Sequence, residues 1–514
     1  MADAERRIYQ IASQPGFTRD GTELDNSTYL DGQWTRFQKG RPKKMGGWKE
    51  INGNIPDIVR GSNVGFADGL NYLYGFAKNK VWTAVTQHSI NTSLVVSSEM
   101  PGLLDEDLYT FQSDFIFDVT GTGVAEMIVH GAHNVSDIDD TTNTPIFSAT
   151  ANVNPPTISP VDDGDGGTVD VSGGVVVLQP YVFAYGNNGL IKNSVSNNPN
   201  DWRVTVSNDA NEVNVAGTKV VKGLPLRAGV NAPAGLFWSL DSLIRVSKAG
   251  AEFRYDTISS QTSIISPHAP VEYDGVYYWI GTDRFLMFDG TVREVPNLQN
   301  MNWFFDNVNY RQRTKIWAMR NTRYGEIWWF FPFGTATECT HAIIYNVREN
   351  CWYDTRHPRS SGTSARIIRH PITFGDNASQ RGTYSVFAEE YGRDAIESGR
   401  QLAIESYFET GEFGYPTGGV VQESPQGNDF WTRLIRVEPD FVQVGKMFMT
   451  VIGREFATSN QTESSPYEFL PSTELIDMRE QKRHIRLKFR SNEMNGDFHM
   501  GRVILHTETG DVRS

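Results

Sequence analysis

The stretch 271–354 decides the fold class of this 514-residue chain. Over residues 271–290 it reads VEYDGVYYWIGTDRFLMFDG, in which the runs 276–280 and 285–288 are rich in aromatic residues. Four turn-forming residues, 281–284, separate the two runs. Two short runs of this composition on either side of a turn that contains Gly and Asp are typical of a β-hairpin. The stretch therefore predicts antiparallel β-structure.

The same pattern recurs further along the stretch in a more open form. Residues 327–331 (IWWFF) and 341–347 (HAIIYNV) are apolar runs, and the polar turn 348–350 leads into 351–354 (CWYD). A loosely repeated unit of aromatic strands joined by turns is typical of the blades of a β-propeller. The repetition favours a propeller over a single sandwich.

Similar units precede this stretch, and one fragment follows it. The earlier runs lie at 70–76 with 81–85, 114–119 with 125–130, 175–178 with 181–185, and 235–238 with 243–246 and 252–255. The stretch 271–354 supplies a fifth and a sixth unit, so we expect six or seven blades. The final fragment, 382–388, is expected to pair with strands from the start of the chain, because closure of the ring removes an exposed sheet edge.

The length of the chain predicts more than one domain, because 514 residues exceed what one compact core holds. The 47 glycines and the scarcity of helical heptads favour an all-β class over α/β. We expect an N-terminal extended basic arm at 1–60, an irregular β-propeller at 61–410 and a C-terminal antiparallel β-sandwich at 411–514. A segment near 143–174 that is rich in Thr, Asn, Asp and Gly predicts an inserted loop, and 411–419 predicts a connector.

The two cysteines do not form a disulfide framework in the sequence pattern. A turn centred on 348–349 would pair Asn346 with Cys351 and place Cys339 near Pro358, so we expect both thiols to be reduced. No signal peptide and no membrane-spanning segment is visible. The sequence therefore predicts synthesis in a reducing cytoplasm.

Positive charge is concentrated near the start of an otherwise acidic chain. The formal net charge is −14, which disfavours tight, sequence-independent binding of DNA by the whole molecule. The basic residues that we consider for docking of an adaptor protein are Arg36, Lys39, Arg41, Lys43 and Lys44, with Lys49 nearby. Two interpretations stay open: a docking surface for an acidic partner or DNA, and a solvated arm whose charge keeps it soluble.

No catalytic, cofactor-binding or metal-binding constellation is visible in the sequence. It contains no nucleophile elbow, no Walker loop, no His-Glu-x-x-His pair and no Cys–His metal spacing. The acidic run 162–167 lacks the spacing of a calcium loop and predicts a plain acidic turn. We therefore predict that the chain has no cofactor and is not an enzyme.

The alternative function is a β-propeller glycosidase or glycan-binding module that acts on a host surface. Such an enzyme needs a pair of carboxylates or an arginine cluster aimed at the sugar. The carboxylates available for this role include Asp283, Asp289, Asp306, Glu389 and Glu390. Most of them lie at predicted turns, where Asp is common for conformational reasons. The Asp-box repeat Ser-x-Asp-x-Gly-x-Thr-Trp is absent.

Four segments bring a known family to mind. Residues 19–22 (RDGT), 29–37 (YLDGQWTRF) and 40–48 (GRPKKMGGW) resemble the opening of phage virion proteins, and 197–202 (NNPNDW) resembles a recurring segment of the same group. The family is that of the tail hub or nozzle proteins of short-tailed, podovirus-type bacteriophages, also called packaged-DNA stabilisation proteins. The segments near the N-terminus are the most specific part of this resemblance.

The resemblance implies a structural virion protein without catalytic residues. Proteins of this family are β-propeller subunits with a second β domain, and they assemble as a six-fold ring, a homohexamer, below the portal and adaptor. The ring extends the DNA channel used in ejection and anchors tail fibres or spikes. By this resemblance the chain would lie in the phage tail, contact its own copies, and let double-stranded DNA pass without tight binding.

Overall fold

The computed structural model describes residues 6–11, 13–23, 27–67, 70–77, 80–86, 94–99, 109–117, 126–133, 146–150, 157–159, 171–199, 201–226, 233–365, 367–377, 382–414, 431–456 and 458–510. These residues are almost entirely β-strand, so the predicted all-β class is confirmed. No helix among them is both long and apolar enough to cross a membrane.

Seven strands precede the ring of blades. They are β1 (Arg6–Gln10), β2 (Gln14–Phe17), β3 (Thr28–Tyr29), β4 (Asp31–Gln33), β5 (Thr35–Gln38), β6 (Arg41–Lys44) and β7 (Trp48–Ile55). Strands β1 to β6 form the N-terminal extended arm, and β7 enters the propeller.

Six blades then follow one another as four-stranded antiparallel sheets. Blade 1 comprises β8 (Val59–Ala67), β9 (Leu70–Ala77), β10 (Lys80–Thr86) and β11 (Leu94–Glu99). Blade 2 comprises β12 (Tyr109–Ile116), β13 (Glu126–His133), β14 (Ile146–Thr150) and β15 (Thr157–Ser159). Blade 3 comprises β16 (Gly174–Leu178), β17 (Tyr181–Tyr185), β18 (Leu190–Asn193) and β19 (Asn211–Asn214). Blade 4 comprises β20 (Val220–Pro225), β21 (Ala234–Ser239), β22 (Leu243–Ala249) and β23 (Glu252–Ser259). Blade 5 comprises β24 (Val271–Tyr273), β25 (Val276–Ile280), β26 (Phe285–Phe288) and β27 (Val292–Glu294). Blade 6 comprises β28 (Trp317–Asn321), β29 (Glu326–Phe331), β30 (His341–Asn346) and β31 (Cys351–Arg356). The α-helix α1 (Met301–Asn307) and a 3-10 helix (Tyr310–Lys315) lie between blades 5 and 6, and a second 3-10 helix (Asn187–Gly189) lies in blade 3.

The seventh blade closes the ring with a strand from the start of the chain. It combines β32 (Ser361–Thr363), β33 (Ile372–Asp376) and β34 (Tyr384–Glu389) with β7, which pairs antiparallel to β34. Two short strands, β35 (Ala395–Glu397) and β36 (Arg400–Leu402), extend this sheet beyond β7. The described residues therefore form seven blades, and the predicted closure is confirmed.

The blades pack because their strands are apolar on both faces. Strand β17 (YVFAY) and strand β29 (EIWWFF) are buried along their whole length. The inner strands contact one another around the axis from β8 to β12, β16 and β20, from β24 to β28 and β32, and from β32 back to β8. Blades 4 and 5 share a cluster that contains Trp238, Tyr277 and Trp279.

The C-terminal domain contains strands from both ends of the chain. Its own strands are β37 (Ser406–Glu409), β38 (Thr432–Glu438), β39 (Phe441–Val444), β40 (Met447–Arg454), β41 (Thr462–Glu463), β42 (Tyr467–Phe469), β43 (Ile476–Lys482), β44 (His484–Ser491), β45 (Asp497–Met500) and β46 (Ile504–Thr509). Strand β1 pairs with β46, β4 with β37, and β6 with β45, so the arm completes three antiparallel sheets.

Several expectations at the element level can be compared with these sheets. The stretch 271–354 forms blades 5 and 6, as predicted. Asn346 pairs with Cys351 in the ladder between β30 and β31, and the thiols of Cys339 and Cys351 are both free. The segment 143–174 was expected to be a loop, but it contains β14 and β15, the outer half of blade 2. The acidic run 162–167 and the connector beyond residue 414 lie outside the described residues.

Candidate functional site

The five residues predicted to dock an adaptor do not share one exposed surface. The side chains of Arg36 and Lys44 are buried, Lys39 is exposed, and Arg41 and Lys43 are partly buried. Lys44 Nζ donates to the carbonyl of Gly496 at 2.9 Å, and Arg41 Nη1 donates to the carbonyl of Ile11 at 3.3 Å. A docking role therefore stays a prediction for Lys39, Arg41 and Lys43, whose side chains reach the surface.

Lys39 lies at the tip of a hairpin that touches the propeller. Lys39 and Gly40 both have positive φ, 54° and 69°, which is the backbone of the tight two-residue turn between β5 and β6. Their N–H groups donate to the two carboxylate oxygens of Glu349 at 2.8 and 2.9 Å. The arm hairpin is therefore fixed to the β30–β31 turn of blade 6, while the Lys39 side chain stays in solvent.

Arg36 forms the centre of a buried ion-pair network between the arm and blade 6. Its Nε and Nη2 atoms contact the two carboxylate oxygens of Glu326 at 2.7 and 3.0 Å, and its Nη1 contacts Glu390 at 3.0 Å. The side chains of Arg36 and Glu326 are 1% and 0% exposed. Tyr353 and Trp328 also donate to Glu326, at 2.7 and 2.9 Å. Each buried charge therefore has several polar partners.

The electrostatics of this network act differently on the two partners: the pKa of Arg36 is raised despite burial, and the pKa of Glu326 is raised because of burial. Burial alone would lower the pKa of Arg36, but Glu326 and Glu390 raise it well above its ordinary value. Burial raises the pKa of Glu326, and Arg36 opposes that rise. The Arg36 guanidinium also lies 3.6 Å from the ring centroid of Tyr324, within cation–π distance. Arg36 is therefore an internal structural cation rather than a surface contact.

A second contact between the arm and the propeller comes from Arg19 and Asp20. Arg19 donates from Nε and Nη2 to the two oxygens of Asp354 on β31, both at 3.0 Å. The carboxylate of Asp20 accepts the N–H groups of Asn302 and Trp303 at 2.9 and 2.8 Å, in the first turn of α1. We call these contacts, together with the Arg36 network, the joint.

Two adjacent glycines set the approach of the arm to blade 7. A Cβ atom at Gly46 would lie 2.4 Å from a carboxylate oxygen of Glu390, and one at Gly47 would lie 2.1 Å from the backbone oxygen of Asp394. The backbone contact at Gly47 leaves no room for a side chain. The GGW segment therefore lets the chain pass from the arm directly into β7, the strand that closes the ring.

A groove lined by several basic side chains lies beside the joint. It has a volume of about 360 Å³, and a neighbouring hollow of about 310 Å³ shares Arg323, Arg369, His370 and Glu390 with it. Among the described residues, no carboxylate lies within ion-pair distance of Lys43, Arg323 or Arg369, all of which line this groove. Arg393 at its edge pairs with Asp497 at 3.4 Å. We call this region the basic groove.

A second hollow lies on the axis of the ring. Because every blade begins with its inner strand, the starts of the seven inner strands meet at the same end of the axis. Near that end lies a hollow of about 170 Å³, lined by residues of β8, β12, β20, β28 and β32 and of the segment before β24, which we call the axial cavity. Its lining includes Arg60, Thr110, Lys222, His268, Lys315 and Ser361.

Two of the three cations of the axial cavity share one carboxylate. Arg60 donates from Nη1 and Nη2 to the two oxygens of Glu338 at 3.0 and 2.8 Å, and Lys315 Nζ donates to the same group at 2.7 Å. Lys222 is different, because no described residue lies within hydrogen-bond distance of its Nζ. Burial lowers the pKa of Lys222 to about 8, although the charge of Asp114 opposes that change.

His268 is held neutral in the same cavity. Its Nε2 atom is hydrogen-bonded to the hydroxyl of Thr110. Burial, with a smaller effect from the charge of Lys222, lowers the pKa of His268 to about 3. The cavity therefore presents a neutral imidazole, hydroxyl groups and an ammonium for which the described residues supply no hydrogen-bond partner, which is a suitable set for contact with an anion.

The carboxylates considered for glycoside hydrolysis do not line the axial cavity. Asp283 pairs with Arg284, Asp289 with Arg293, Glu389 with Arg359, and Glu390 with Arg36, whereas Asp306 is exposed on α1. Burial would raise the pKa of Glu389, but His357 and Arg359 hold it at about 2. In the part of the chain that the structure describes, no group of three or more His, Cys, Asp or Glu residues could hold a metal ion.

The cations of the axial cavity and of the basic groove, except Lys43 and Lys44, were not predicted from the sequence. Arg60 and Lys222 are single basic residues of two inner strands, β8 and β20, that are far apart in the chain, so their common location is visible only from the arrangement of the blades. Arg323 and Arg369 lie in turns far apart in the chain, so no local cluster of basic residues indicates that they share a surface.

Comparison with known proteins finds distant likenesses among the solved structures. No family model and no curated protein matches this chain. The solved structures similar to it include the exo-β-1,3-galactanase of Phanerochaete chrysosporium with galactose, at 12% identity and a TM-score of 0.31 over 90% of this chain and 100% of that chain. They also include BBS1N in complex with ARL6DN, at 12% identity and a TM-score of 0.39 over 67% of this chain and 98% of that chain.

The prediction that the chain is not an enzyme is contradicted by this comparison. Three structures of the galactanase, with galactose or with β-1,3-galactotriose, each cover 90% of the chain at 11–12% identity. We therefore withdraw that prediction. At TM-scores of 0.30 and 0.31, the likeness assigns no substrate and no catalytic residue to this chain.

Proposed function

We propose that this chain is a structural subunit of a short-tailed phage tail, a hub or nozzle protein that forms a ring with its own copies. The proposal is supported mainly by the contacts of the three N-terminal segments, 19–22, 29–37 and 40–48, that resemble the phage proteins. They supply Arg19 and Asp20, the Arg36 network, and the Gly46–Gly47 passage into β7. These segments join the propeller and the C-terminal domain through buried ion pairs, which suits a subunit that must transmit load.

The basic groove is the docking surface in this proposal. Lys43 belongs to the predicted basic cluster, and Arg323 and Arg369 add two exposed cations from blades 6 and 7. Their charge lacks a carboxylate partner within the described chain, so an acidic segment of a neighbouring subunit or adaptor gains complementary contacts there. The acidic chain as a whole, with a net charge of −14, lets DNA pass without tight binding.

Assembly is tested by the mass of the purified chain in solution, alone and with the tail components of its phage. Multi-angle light scattering and negative-stain images are expected to show rings of several copies once the adaptor is present. A chain that stays monomeric in both conditions, and that is absent from tail particles, contradicts the proposal.

The docking surface is tested by charge removal with a matched control. Lys43→Ser, Arg323→Ser and Arg369→Ser, combined in one variant, are expected to reduce incorporation into tail particles at least tenfold with the thermal midpoint unchanged. Arg254→Ser, Arg311→Ser and Arg313→Ser remove the same charge from exposed positions elsewhere on the propeller. Equal incorporation of both triple variants contradicts a docking role for the groove.

A second candidate function is recognition or hydrolysis of a host-surface glycan. The observation that favours it is the axial cavity, whose lining combines Trp317 with Ser62, Ser361 and His268, a mixture of aromatic and hydrogen-bonding groups suited to sugars. A glycan array and a panel of glycoside substrates test this candidate. Binding or turnover that disappears with a His268→Ala variant supports it, and the absence of both removes it.

A further inference from the structure

We propose that the axial cavity is a binding site for a small oxyanion, a phosphate or carboxylate group, with the ammonium of Lys222 as its main contact. The proposal is independent of tail assembly, because it concerns the axis of a single propeller. It rests on the hydrogen-bond state of Lys222, on the charge of the cavity and on its size.

The hydrogen-bond state of Lys222 differs from that of the buried lysines of this chain. Lys44 donates to Gly496 O at 2.9 Å, Lys192 donates to Glu212 at 2.8 Å, and Lys315 donates to Glu338 at 2.7 Å. Lys222 lies on the inner strand β20, faces the cavity, and has no such partner among the described residues. Lys222 is partly buried, so its ammonium is shielded from part of the bulk water, and an anion at this place would add a charged contact.

The remaining groups of the cavity leave room for an anion near Lys222. Gln112 is committed elsewhere, because its amide donates to the carbonyls of Gly173 and Val221 at 2.9 and 3.0 Å. The Thr110 hydroxyl with the His268 ring, and the hydroxyls of Ser62 and Ser361, line the same hollow. Hydroxyl and imidazole groups complement an oxyanion whose charge is met by one ammonium.

The charge of the cavity also favours an anion. The lining contains three cations, Arg60, Lys222 and Lys315. Glu338 pairs with Arg60 and Lys315, and the charge of Asp114 acts on Lys222, so two carboxylates stand against the three cations. The Asp114 oxygens already accept the N–H groups of Phe115 and Val177 at 2.9 and 3.0 Å. One positive charge is therefore left over in a partly enclosed space, where electrostatic attraction is stronger than in water.

The size of the cavity restricts the ligand to a small group. About 170 Å³ holds a phosphate, or the acid group of a sugar acid, with a few waters, taking roughly 30 Å³ for each water. A folded nucleic-acid duplex cannot enter it. The site therefore selects a free oxyanion or the terminal acid group of a larger molecule.

Isothermal titration calorimetry on the full-length chain at neutral pH tests the proposal, with inorganic phosphate and glucuronate titrated separately. Saturable binding of at least one probe is expected, and Lys222→Met is expected to weaken it at least tenfold. The control is Lys446→Met, which removes a lysine charge from the surface of the C-terminal domain. It should bind as the unaltered chain does. Binding of phosphate alone points to a phosphorylated ligand, and binding of glucuronate alone points to an acidic sugar.

Thr110→Val is the second variant, to be used if Lys222→Met fails to fold by circular dichroism. It keeps the shape of the side chain and removes the hydroxyl that meets His268, so it is expected to weaken binding at least threefold. Absence of saturable heat from both probes overturns the proposal. Unchanged affinity in Lys222→Met, or in Thr110→Val where that variant replaces it, also overturns the proposal.

A pH series with sulfate, whose charge is constant over the range, gives an independent readout. The charge of Asp114 acts on the ammonium, His268, Arg60 and Lys315 line the same cavity, and Glu338 pairs with Arg60 and Lys315. The pKa of Lys222 is at about 8. Affinity for sulfate is therefore expected to fall as the pH rises through about 8, with proton uptake on binding above that pH. An affinity that is constant through this range contradicts a role for Lys222 as the charged contact.

Discussion

Arg36 is a basic residue of the arm that belongs to the protein core. Its guanidinium compensates Glu326, whose side chain is fully buried, and also meets Glu390. We expect Arg36→Met to lower the free energy of unfolding by about 3–5 kcal/mol, because it leaves Glu326 buried without its cation. Denaturant titration followed by tryptophan fluorescence measures this change.

The matched control for Arg36 is Lys39→Met, three residues further along the arm. The Lys39 side chain is exposed, and its backbone contact with Glu349 does not depend on the side chain. Its effect is expected to stay within about 0.5 kcal/mol. Equal unfolding midpoints for the two variants would show that the ion pair is not a determinant of stability.

The sequence could predict the basic cluster, but not which of its members are buried. Strand β5 (TRFQ) is buried at three successive positions, because the propeller covers one of its faces and the C-terminal domain covers the other. The period-two alternation that separates inside from outside is therefore absent. The partners of Arg36 lie 290 and 354 positions away, beyond the reach of any local pattern.

At the scale of single elements, helix α1 depends on a cap from the distant arm. Its N-cap residue, Asn300, makes no side-chain capping bond, and the carboxylate of Asp20 accepts the N–H groups of Asn302 and Trp303 instead. We expect Asp20→Ala to lower the free energy of unfolding by about 1 kcal/mol, as for loss of a capping residue. Thermal denaturation measures the change.

The control for the cap is Asp306→Ala, which removes an exposed carboxylate from the same helix. It is expected to leave the thermal midpoint within the error of the unaltered chain. If Asp20→Ala behaves like Asp306→Ala, the contact between the arm and α1 does not stabilise the fold.

Most blade strands were predictable because their composition is strongly aromatic. Strands β25, β26 and β29 to β31 lie where the alternating and apolar runs placed them, and Asn346 faces Cys351 across the predicted turn. Strands β14 (IFSAT) and β15 (TIS) were missed because they are short and rich in Ser and Thr, within a segment whose composition favours a loop. Their pairing is set by the neighbouring strand β13 rather than by their own pattern.

At the scale of the whole molecule, partly buried histidines couple stability to pH. Burial lowers the pKa of His268 to about 3 and that of His341 to about 4, so the folded chain keeps both rings neutral. The unfolded chain takes up these protons below its ordinary histidine pKa of about 6.5. Stability is therefore expected to fall as the pH decreases below about 6.5, by about 1.4 kcal/mol per pH unit for each proton.

The measurement is the thermal midpoint between about pH 7 and about pH 4. The depressed pKa of Glu389, about 2, acts in the same direction, because its stabilising effect is lost as the pH falls below the ordinary carboxyl range. His268→Gln is expected to flatten the dependence near pH 5. A midpoint that is constant or rises on acidification contradicts the assignment of neutral, partly buried rings.

The pairing of N-terminal strands with C-terminal strands could not be predicted from the sequence. Strand β1 pairs with β46, joining Arg6 to Glu508, and β7 closes a blade that otherwise consists of β32 to β34. Closure of the ring follows from the need to cover sheet edges and was expected. The pairing of the arm with the C-terminal sheets depends on contacts between residues hundreds of positions apart, which no periodicity encodes.

Electron cryo-microscopy of intact phage particles is the most direct test of the proposal that this chain is a ring subunit of a short tail. The proposal predicts density for several copies of a seven-bladed propeller arranged around the DNA channel below the portal and adaptor, each with its arm folded along the C-terminal domain. The basic groove should face a neighbouring chain. Tails that contain no such ring, or a chain found only free in solution, would contradict it.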